Sequence, residues 1–228
     1  MAAASPCFLF IELAGEHANQ VNLWSDVAAI VQAAGGTVFA SGPAGRVACL
    51  EPATVAAGML IAKWHDSESL TRGALGTILP MIQAALPAST VPLMLRVNAL
   101  PDAGLPEMMD IPTVASVPVP PAVPRNAFLV VRGSAWDQER LNQYRDVILP
   151  MHKQRAGYYE AFAIQPGEVV ALSGTWTEQI FAISRWPSRA VAEDFWYCDR
   201  YQTQAVPLRL GAGRFAVHML DATWPQQS

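Results

Sequence analysis

The chain has 228 residues, of which 52% are hydrophobic and 15% charged, with a formal net charge of −4; this excludes a disordered chain and fits one or two domains. Its basic residues are scattered and no apolar stretch reaches the roughly 18 residues of a membrane span, so we expect neither nucleic acid nor membrane as a partner. Three widely spaced cysteines fit neither a disulfide framework nor a zinc site, and with no basic leader at the start they predict a cytoplasmic protein.

The first half is predicted to begin with a short apolar strand at residues 8–11, followed by a helix. Trp24, Val27, Val31 and Ala34 recur at steps of three and four, the period of one buried helix face. Apolar runs at residues 59–64 and 93–97 predict two further strands. We therefore predict a first folded unit over residues 1–110.

A linker follows at residues 111–125, where prolines recur at positions 112, 118, 120, 121 and 124. Proline fixes φ and removes a backbone donor, so this segment is predicted to be neither a helix nor a central strand. Extended polyproline II is the expected conformation. The second unit then covers residues 126–228.

The second half predicts a strand at residues 128–132 and a helix that Asp137 caps. The buried face of this helix carries Leu141, Tyr144, Ile148 and Met151, and Pro150 is expected to bend or end it. Strands follow at residues 157–162 and 169–172, the latter continuing as a hairpin into residues 179–186. A helix capped by Ser188 runs to about Cys198, and residues 214–220 form the last strand. The order is β-α-β-β-α-β, the ferredoxin-like arrangement.

The two halves repeat each other. Met59-Leu-Ile-Ala-Lys-Trp64 falls on Phe181-Ala-Ile-Ser-Arg-Trp186 at an offset of 122, and the same offset places residues 93–97 on 215–219, with Arg96 opposite His218. Residues 8–11 fall on 128–131 at an offset of 120. Three matches in the same order indicate a tandem duplication.

The alternation within the repeated strand predicts how the halves pack. Phe181 and Ile183 point to one face of the sheet, and Ala182 and Ser184 point to the other. We expect the large residues to lie under the helices and the opposite face to meet a second sheet, because a bare apolar face is unstable in water. The predicted fold is α+β, two tandem ferredoxin-like units that form an intrachain pseudo-dimeric α/β barrel.

The second half also resembles a known family. Its motifs are Arg185-Trp-Pro-Ser188, Phe195-Trp-Tyr197, Asp199-Arg-Tyr-Gln202, Pro207-Leu-Arg209 and Gly213-Arg-Phe-Ala-Val217. On these residues, positions 126–222 resemble the domain of unknown function family numbered 1330, which belongs to the dimeric α/β barrels. Arg185 stands where that family usually has an acid, and Cys198-Asp-Arg200 replaces its Ser-Pro-Glu. The resemblance implies an apolar pocket, in a class that includes cofactor-free monooxygenases, isomerases, polyketide cyclases and heme enzymes.

The candidate site residues lie in the second half, because the first half lacks them. Leu79 and Pro87 align with Tyr201 and Arg209 at the common offset, so the fold does not need these polar groups. His152 or Glu160 is the candidate general acid or base. Arg209 and Tyr201 are candidates to hold a developing oxyanion, and the candidate substrate-binding residues are Tyr158, Arg185 and Trp196.

Each of these residues also has a structural interpretation. His152 would be an exposed histidine at a helix end, and Glu160 would be a solvent-facing residue at a strand edge. Arg209 would form a salt bridge with Asp199 or Asp194. Trp196 and Tyr201 fit core positions.

The predicted function is a cofactor-independent isomerase, cyclase or lyase of secondary metabolism. It would act on an apolar carbonyl compound by proton transfer, without a metal, as a monomer or a homodimer. A non-catalytic ligand-binding protein and a heme-dependent enzyme remain alternatives. In that alternative the heme ligand would be His218 on the last strand, His17 or His65.

Overall fold

A computed structural model describes residues 5–51, 54–104, 110–118 and 126–222. The first half contains β1 (Cys7–Ala14), α1 (Val21–Ala33), β2 (Thr37–Gly42), β3 (Ala48–Cys49), β4 (Ala57–Trp64), α2 (Ser67–Gly73), α3 (Leu79–Ala85) and β5 (Leu93–Asn98). The second half contains β6 (Ala127–Ala135), α4 (Gln138–Gln154), β7 (Tyr158–Ala163), β8 (Val169–Ser173), β9 (Ile180–Trp186), α5 (Arg189–Tyr197), α6 (Val206–Ala212) and β10 (Gly213–Asp221). In the part of the chain so described, no helix has the length and hydropathy to cross a bilayer.

Two antiparallel sheets of five strands have matching strand orders. The first is β2-β4-β1-β5-β8, and the second, read from the opposite edge, is β7-β9-β6-β10-β3. The outermost strand of each sheet comes from the other half: β8 pairs with β5, and β3 pairs with β10. The predicted hairpin between β8 and β9 is therefore wrong, because β8 instead covers the edge that β5 would otherwise expose.

The sheets pack face to face through large side chains. Met59, Ile61, Phe181 and Ile183 are buried in one cluster between the sheets, and the Phe10 and Phe181 rings meet edge to face at 5.1 Å. The expectation that these residues lie under the helices is therefore reversed. The helix-facing side of β9 carries the small residues of its alternating pattern.

A bulge occurs at the same place in each half. The pairing of β2 with β4 shifts register between Val38 and Ala40, and that of β7 with β9 shifts between Tyr159 and Ala161. The extra residues are Phe39 and Glu160. A bulge of this kind re-aims the side chain that it carries, which decides where Glu160 lies.

The observed register corrects the alignment of the halves on the last strand. Phe8 pairs with Val97, and its counterpart Phe128 pairs with Leu220, so the offset there is 123. Because a one-residue slip exchanges the two faces of a strand, His218 corresponds to Leu95 and not to Arg96.

The connection before the last strand corrects the alignment further. A π-helical turn at Ala74–Ile78 precedes α3, and one at Tyr201–Ala205 precedes α6, each helix having a proline in its first turn. Aligning the turns, at an offset of 127, makes Ala74 the counterpart of Tyr201 and Ile82 the counterpart of Arg209. The first half therefore still has apolar residues at both positions.

Asp137 and Ser188 cap their helices as predicted, accepting hydrogen bonds from the amides of Arg140 and Val191. The helix α4 nevertheless continues through Pro150 to Gln154. Pro150 removes one backbone donor, and the burial of Met151 and His152 in the next turn offsets that loss.

Part of the predicted linker follows the outer edge of the second sheet. The carbonyl of Pro112 accepts a hydrogen bond of 2.8 Å from the amide of Tyr159 on β7. Residues Val114–Ser116 form a short 3-10 turn, so polyproline II does not extend through this segment. Residues 119–125 of the predicted linker lie outside the described residues.

Paired glycines before β2 and β7 make room for tryptophan rings. A Cβ on Gly36 would lie 2.4 Å from the Trp64 ring, and one on Gly157 would lie 2.7 Å from the Trp186 ring.

We predict that Gly36→Ala lowers the free energy of unfolding by about 1–3 kcal/mol through overpacking. Denaturant unfolding measures this. The control is Gly76→Ala, where nothing lies within 4 Å of the added methyl; an equal loss in both variants would contradict the account.

Candidate functional site

A cavity of about 850 Å³ lies between the second sheet and the helices that cover it. Its floor includes Leu129, Val131, Ala182 and Ser184, and its walls come from α4, α5, α6 and the loops around β8. Because β9 presents Ala182 and Ser184 to the helices, the sheet leaves open a volume that larger side chains would fill. The cavity has the size typical of small-molecule sites.

The corresponding space in the first half is filled. Gly58, which aligns with cavity-lining Ile180, has the Trp24 indole packed on it so closely that an added Cβ would lie 2.4 Å from the ring. Trp24 is buried and its Nε1 donates a 3.1 Å hydrogen bond to the Ala18 carbonyl. A ligand pocket of this kind is therefore a feature of the second half.

Arg209 lines the cavity at a position where it is only 1% exposed. Its Nη2 donates to the carboxylate of Glu51, which comes from the first half, so the partner is neither Asp199 nor Asp194. Its Nε and Nη1 have no hydrogen-bond partner among the described residues. Burial lowers the pKa of Arg209 to about 10, which leaves it cationic at neutral pH.

The guanidinium of Arg209 is surrounded by aromatic rings. It lies 4.8 Å from the centroid of the Trp196 ring and 5.8 Å from that of Tyr201. Cation–π contacts of this kind stabilise a buried cation without using its N–H groups. The contacts with these rings therefore leave Nε and Nη1 of Arg209 without a hydrogen-bond partner among the described residues.

Two tyrosine hydroxyls meet beside Arg209. The Tyr144 and Tyr201 oxygens are 3.2 Å apart, and both residues line the cavity. Burial raises the pKa of Tyr144 to about 12 and that of Tyr201 well above its usual value, so both stay protonated. Since one hydroxyl donates to the other, the pair keeps one O–H that is able to donate to a ligand.

His152 lies on the cavity wall and is 3% exposed, so the interpretation as an exposed helix-end histidine is wrong. Its Nδ1 is 3.0 Å from the Ile148 carbonyl, which assigns the proton to Nδ1 and leaves Nε2 as an acceptor. The imidazole contacts three aromatic rings, those of Tyr159, Trp186 and Phe195. Desolvation by burial lowers the pKa of His152 to about 4.

Three predicted site residues lie elsewhere. Tyr158, Glu160 and Arg185 do not line the cavity, because the bulge in β7 places Glu160 among charged groups at the edge of the space between the sheets. The Glu160 carboxylate lies 3.2 Å from Arg185, 3.5 Å from Lys63 and 3.5 Å from the Tyr158 hydroxyl. Glu160 is 8% exposed, so it is not a solvent-facing residue either. The cluster joins the two halves electrostatically.

The structure therefore brings together His152, Trp196, Tyr201 and Arg209 from the predicted set. It adds Tyr144, which the helical pattern indicated only as a core position, and Glu178, which no sequence pattern singled out. Tyr144 could have been recognised as a polar exception on an apolar helix face. Glu178 lies in the loop before β9, where the sequence has no apolar periodicity against which a polar residue could stand out.

The histidines of the described residues can be compared with what a metal or a heme would need. Among the described residues, no three His, Cys, Asp or Glu side chains come together as metal ligands do. His218 is buried between strands with Nε2 3.0 Å from the Val55 carbonyl, and it does not line the cavity. His152 does line the cavity, and its ring contacts three aromatic rings.

Comparison with known proteins identifies the fold class. Residues 126–223 match the family model of a domain of unknown function, DUF1330, which confirms the resemblance seen in the motifs. A candidate monooxygenase from Fusobacterium nucleatum subsp. nucleatum superposes with a TM-score of 0.53 at 7% identity, covering 97% of this chain and 94% of that one.

A mutant chlorite dismutase from Candidatus Nitrospira defluvii superposes with a TM-score of 0.50 at 10% identity, covering 96% of this chain and 92% of that one. No curated protein matches the sequence significantly. The chain thus has an α+β fold with two antiparallel sheets, similar to that of these two solved structures.

Burial of neutral His152 predicts a specific dependence of stability on pH. The pKa of this group is about 4 in the folded state, against 6.5 ordinarily, so its contribution is complete above pH 6.5 and is lost as the pH falls towards 4. Between pH 7 and pH 5 the free energy of unfolding should therefore fall by about 2 kcal/mol, because His152 takes up a proton only in the unfolded chain.

The matched variant is His152→Val. Val31 occupies the equivalent position in the first half, since the amides of Gly36 and Gly157 bond to the carbonyls of Val31 and His152 respectively. From pH 7 to pH 5, the free energy of unfolding of the His152→Val variant should fall about 2 kcal/mol less than that of the wild type. Equal losses in urea titrations at the two pH values would show that His152 takes up a proton in the folded protein.

Proposed function

We propose that the second half binds an apolar carbonyl compound and catalyses a proton transfer on it without a bound cofactor. The reaction class is isomerisation, cyclisation or lysis. The observation that carries this proposal is Arg209, a fully buried cation on the wall of a largely apolar cavity with two N–H groups unpaired. A buried donor that lacks a partner costs free energy, and a ligand oxygen would offset that cost.

Arg209 and the tyrosine pair are the proposed oxyanion site. When a carbonyl compound loses a proton from the adjacent carbon, negative charge moves to its oxygen. A fixed guanidinium and a hydroxyl in a water-poor cavity stabilise that charge more than bulk water does. Trp196 and Tyr201 would contact the apolar body of the same ligand.

His152 is the proposed base. Its Nε2 lone pair would take the proton from carbon, the C–H electron pair would form the C=C bond of the enolate, and the C=O π pair would move to oxygen. The imidazolium would then return the proton to another carbon as the C=O bond re-forms. A pKa of about 4 makes this a weak base. The proposal therefore favours substrates whose enolates are conjugated, as in polyketide-like ring systems.

We also propose that the chain arose by tandem duplication and works as a cytoplasmic monomer. The domains would be residues 1–110 and 126–228, joined by a linker at residues 111–125. The matching strand orders and the Gly36–Trp64 and Gly157–Trp186 pairs support a common origin for the halves. Two sheets that complete a barrel within one chain remove the need for a second copy.

A non-catalytic ligand-binding protein is the second candidate. The observation in its favour is the clamping of the His152 ring by three aromatic side chains, which suits packing as well as it suits proton transfer. The names of the two solved structures described above, a candidate monooxygenase and a chlorite dismutase, support the catalytic candidate. A Soret band from purified protein would instead favour a heme enzyme.

The oxyanion site predicts binding of 2-naphthoate, an apolar bicycle with a carboxylate. Replacing Arg209 alone would leave Glu51 buried and unpaired, so the test variant is the neutral pair Glu51→Gln with Arg209→Met. We expect at least tenfold weaker binding by calorimetry, because a charge-assisted hydrogen bond is lost. The exposed Arg200→Met is the control. Unchanged affinity in a folded double variant would refute the oxyanion site.

The proposed base predicts hydrogen exchange on a simple ketone. In D₂O the wild-type protein should speed deuterium uptake at the carbon beside the carbonyl of 1-tetralone, as followed by NMR. His152→Val should lose this acceleration, whereas the exposed-histidine control His65→Val should keep it. If the wild type binds 2-naphthoate through Arg209 but does not accelerate exchange, the binding-protein candidate is favoured.

A further inference from the structure

We infer that Glu178 is a second polar anchor in the same cavity, and that the ligand carries a hydroxyl or other hydrogen-bond donor in addition to its carbonyl oxygen. This inference rests on the proposed function, since it concerns the same site. It narrows the ligand class to apolar carbonyl compounds that also carry a hydrogen-bond donor.

The geometry of Glu178 leaves one carboxylate oxygen for a ligand. Its Oε1 accepts a 2.6 Å hydrogen bond from Nη1 of Arg132. Its Oε2 is buried and has no hydrogen-bond partner among the described residues, and the residue lines the cavity. A buried carboxylate oxygen without a donor costs more free energy than a neutral acceptor would. A ligand O–H or N–H would satisfy it.

Arg132 holds Glu178 in place because Arg132 is itself fixed from the other sheet. Its Nε and Nη2 donate to the two oxygens of Glu12 on β1, at 3.1 and 2.8 Å. A bidentate contact of this type sets the plane of the guanidinium, so Nη1 has a defined direction towards Glu178. The anchor is therefore preorganised.

The two anchors stand on different walls and have opposite preferences. Arg209 lies on α6 and offers N–H donors, so it selects an acceptor or an anion. Glu178 lies in the loop before β9 and offers a lone pair, so it selects a donor. Cavity-lining Trp176 stands on the same loop as Glu178 and packs edge to face on Phe181 with ring centroids 6.0 Å apart, giving an apolar surface beside that anchor.

The first half thus supports the site of the second half. Glu51 pairs with Arg209, and Glu12 fixes the arginine that holds Glu178. Both carboxylates are buried or nearly so. This arrangement explains why a half with a filled pocket of its own still matters to the cavity.

The test uses two single-function probes, 2-naphthol for the donor anchor and 2-naphthoate for the acceptor-binding anchor. In Glu178→Ala we expect 2-naphthol to bind about tenfold or more weakly, as for the loss of a hydrogen bond to a charged group. The affinity for 2-naphthoate should stay the same or rise by no more than about threefold. The exposed Glu139→Gln, which makes the same change in charge, should alter neither.

Glu178→Gln serves as the second variant if the alanine variant does not fold. Arg132 keeps both bonds to Glu12, so we expect the glutamine variant to fold and to bind 2-naphthol several-fold more weakly. Unchanged 2-naphthol affinity in a folded Glu178 variant would overturn the inference and leave the Arg209 site intact. If the affinity for 2-naphthoate did not depend on Arg209, the proposed function would instead be overturned.

Discussion

The packing of one sheet on the other determines where this protein has room for a ligand. Large residues such as Phe181 and Ile183 fill the layer between the sheets, and the period of two in a strand then gives the helix-facing side of β9 to Ala182 and Ser184. Because these side chains are small, they leave an open space between the sheet and the helices. The cavity is thus a consequence of how the sheets are joined.

The halves share a fold and differ in what they bury. The first half closes its own version of the cavity with Trp24, and it has apolar Val31, Ala74 and Ile82 where the second half has His152, Tyr201 and Arg209. Burying an arginine, a histidine and a tyrosine pair lowers stability unless these groups are satisfied. Their concentration around one cavity is the physical reason to assign them a function, as perturbed groups gather at functional sites.

Local patterns predicted local structure well. The caps at Asp137 and Ser188 and most strand positions followed from side-chain chemistry and apolar periodicity. Alternation shows that a strand has two faces but not which face meets the helices, so the orientation of Phe181 was reversed. The exchange of β3 and β8, the bulge at Glu160 and the π-helical turn before Arg209 depend on tertiary contacts. The sequence alone therefore assigned Glu160 the same candidate role as His152, although the structure separates them.

The proposed function depends on the buried guanidinium of Arg209 binding the charged oxygen of a ligand. A crystal structure of the protein with 2-naphthoate tests it most directly. The account predicts the naphthalene ring within the cavity and a carboxylate oxygen within about 3.2 Å of Nε or Nη1 of Arg209, as for a hydrogen bond. A carboxylate bound instead at the surface near Lys153 and Arg155, with the cavity unchanged, would contradict it.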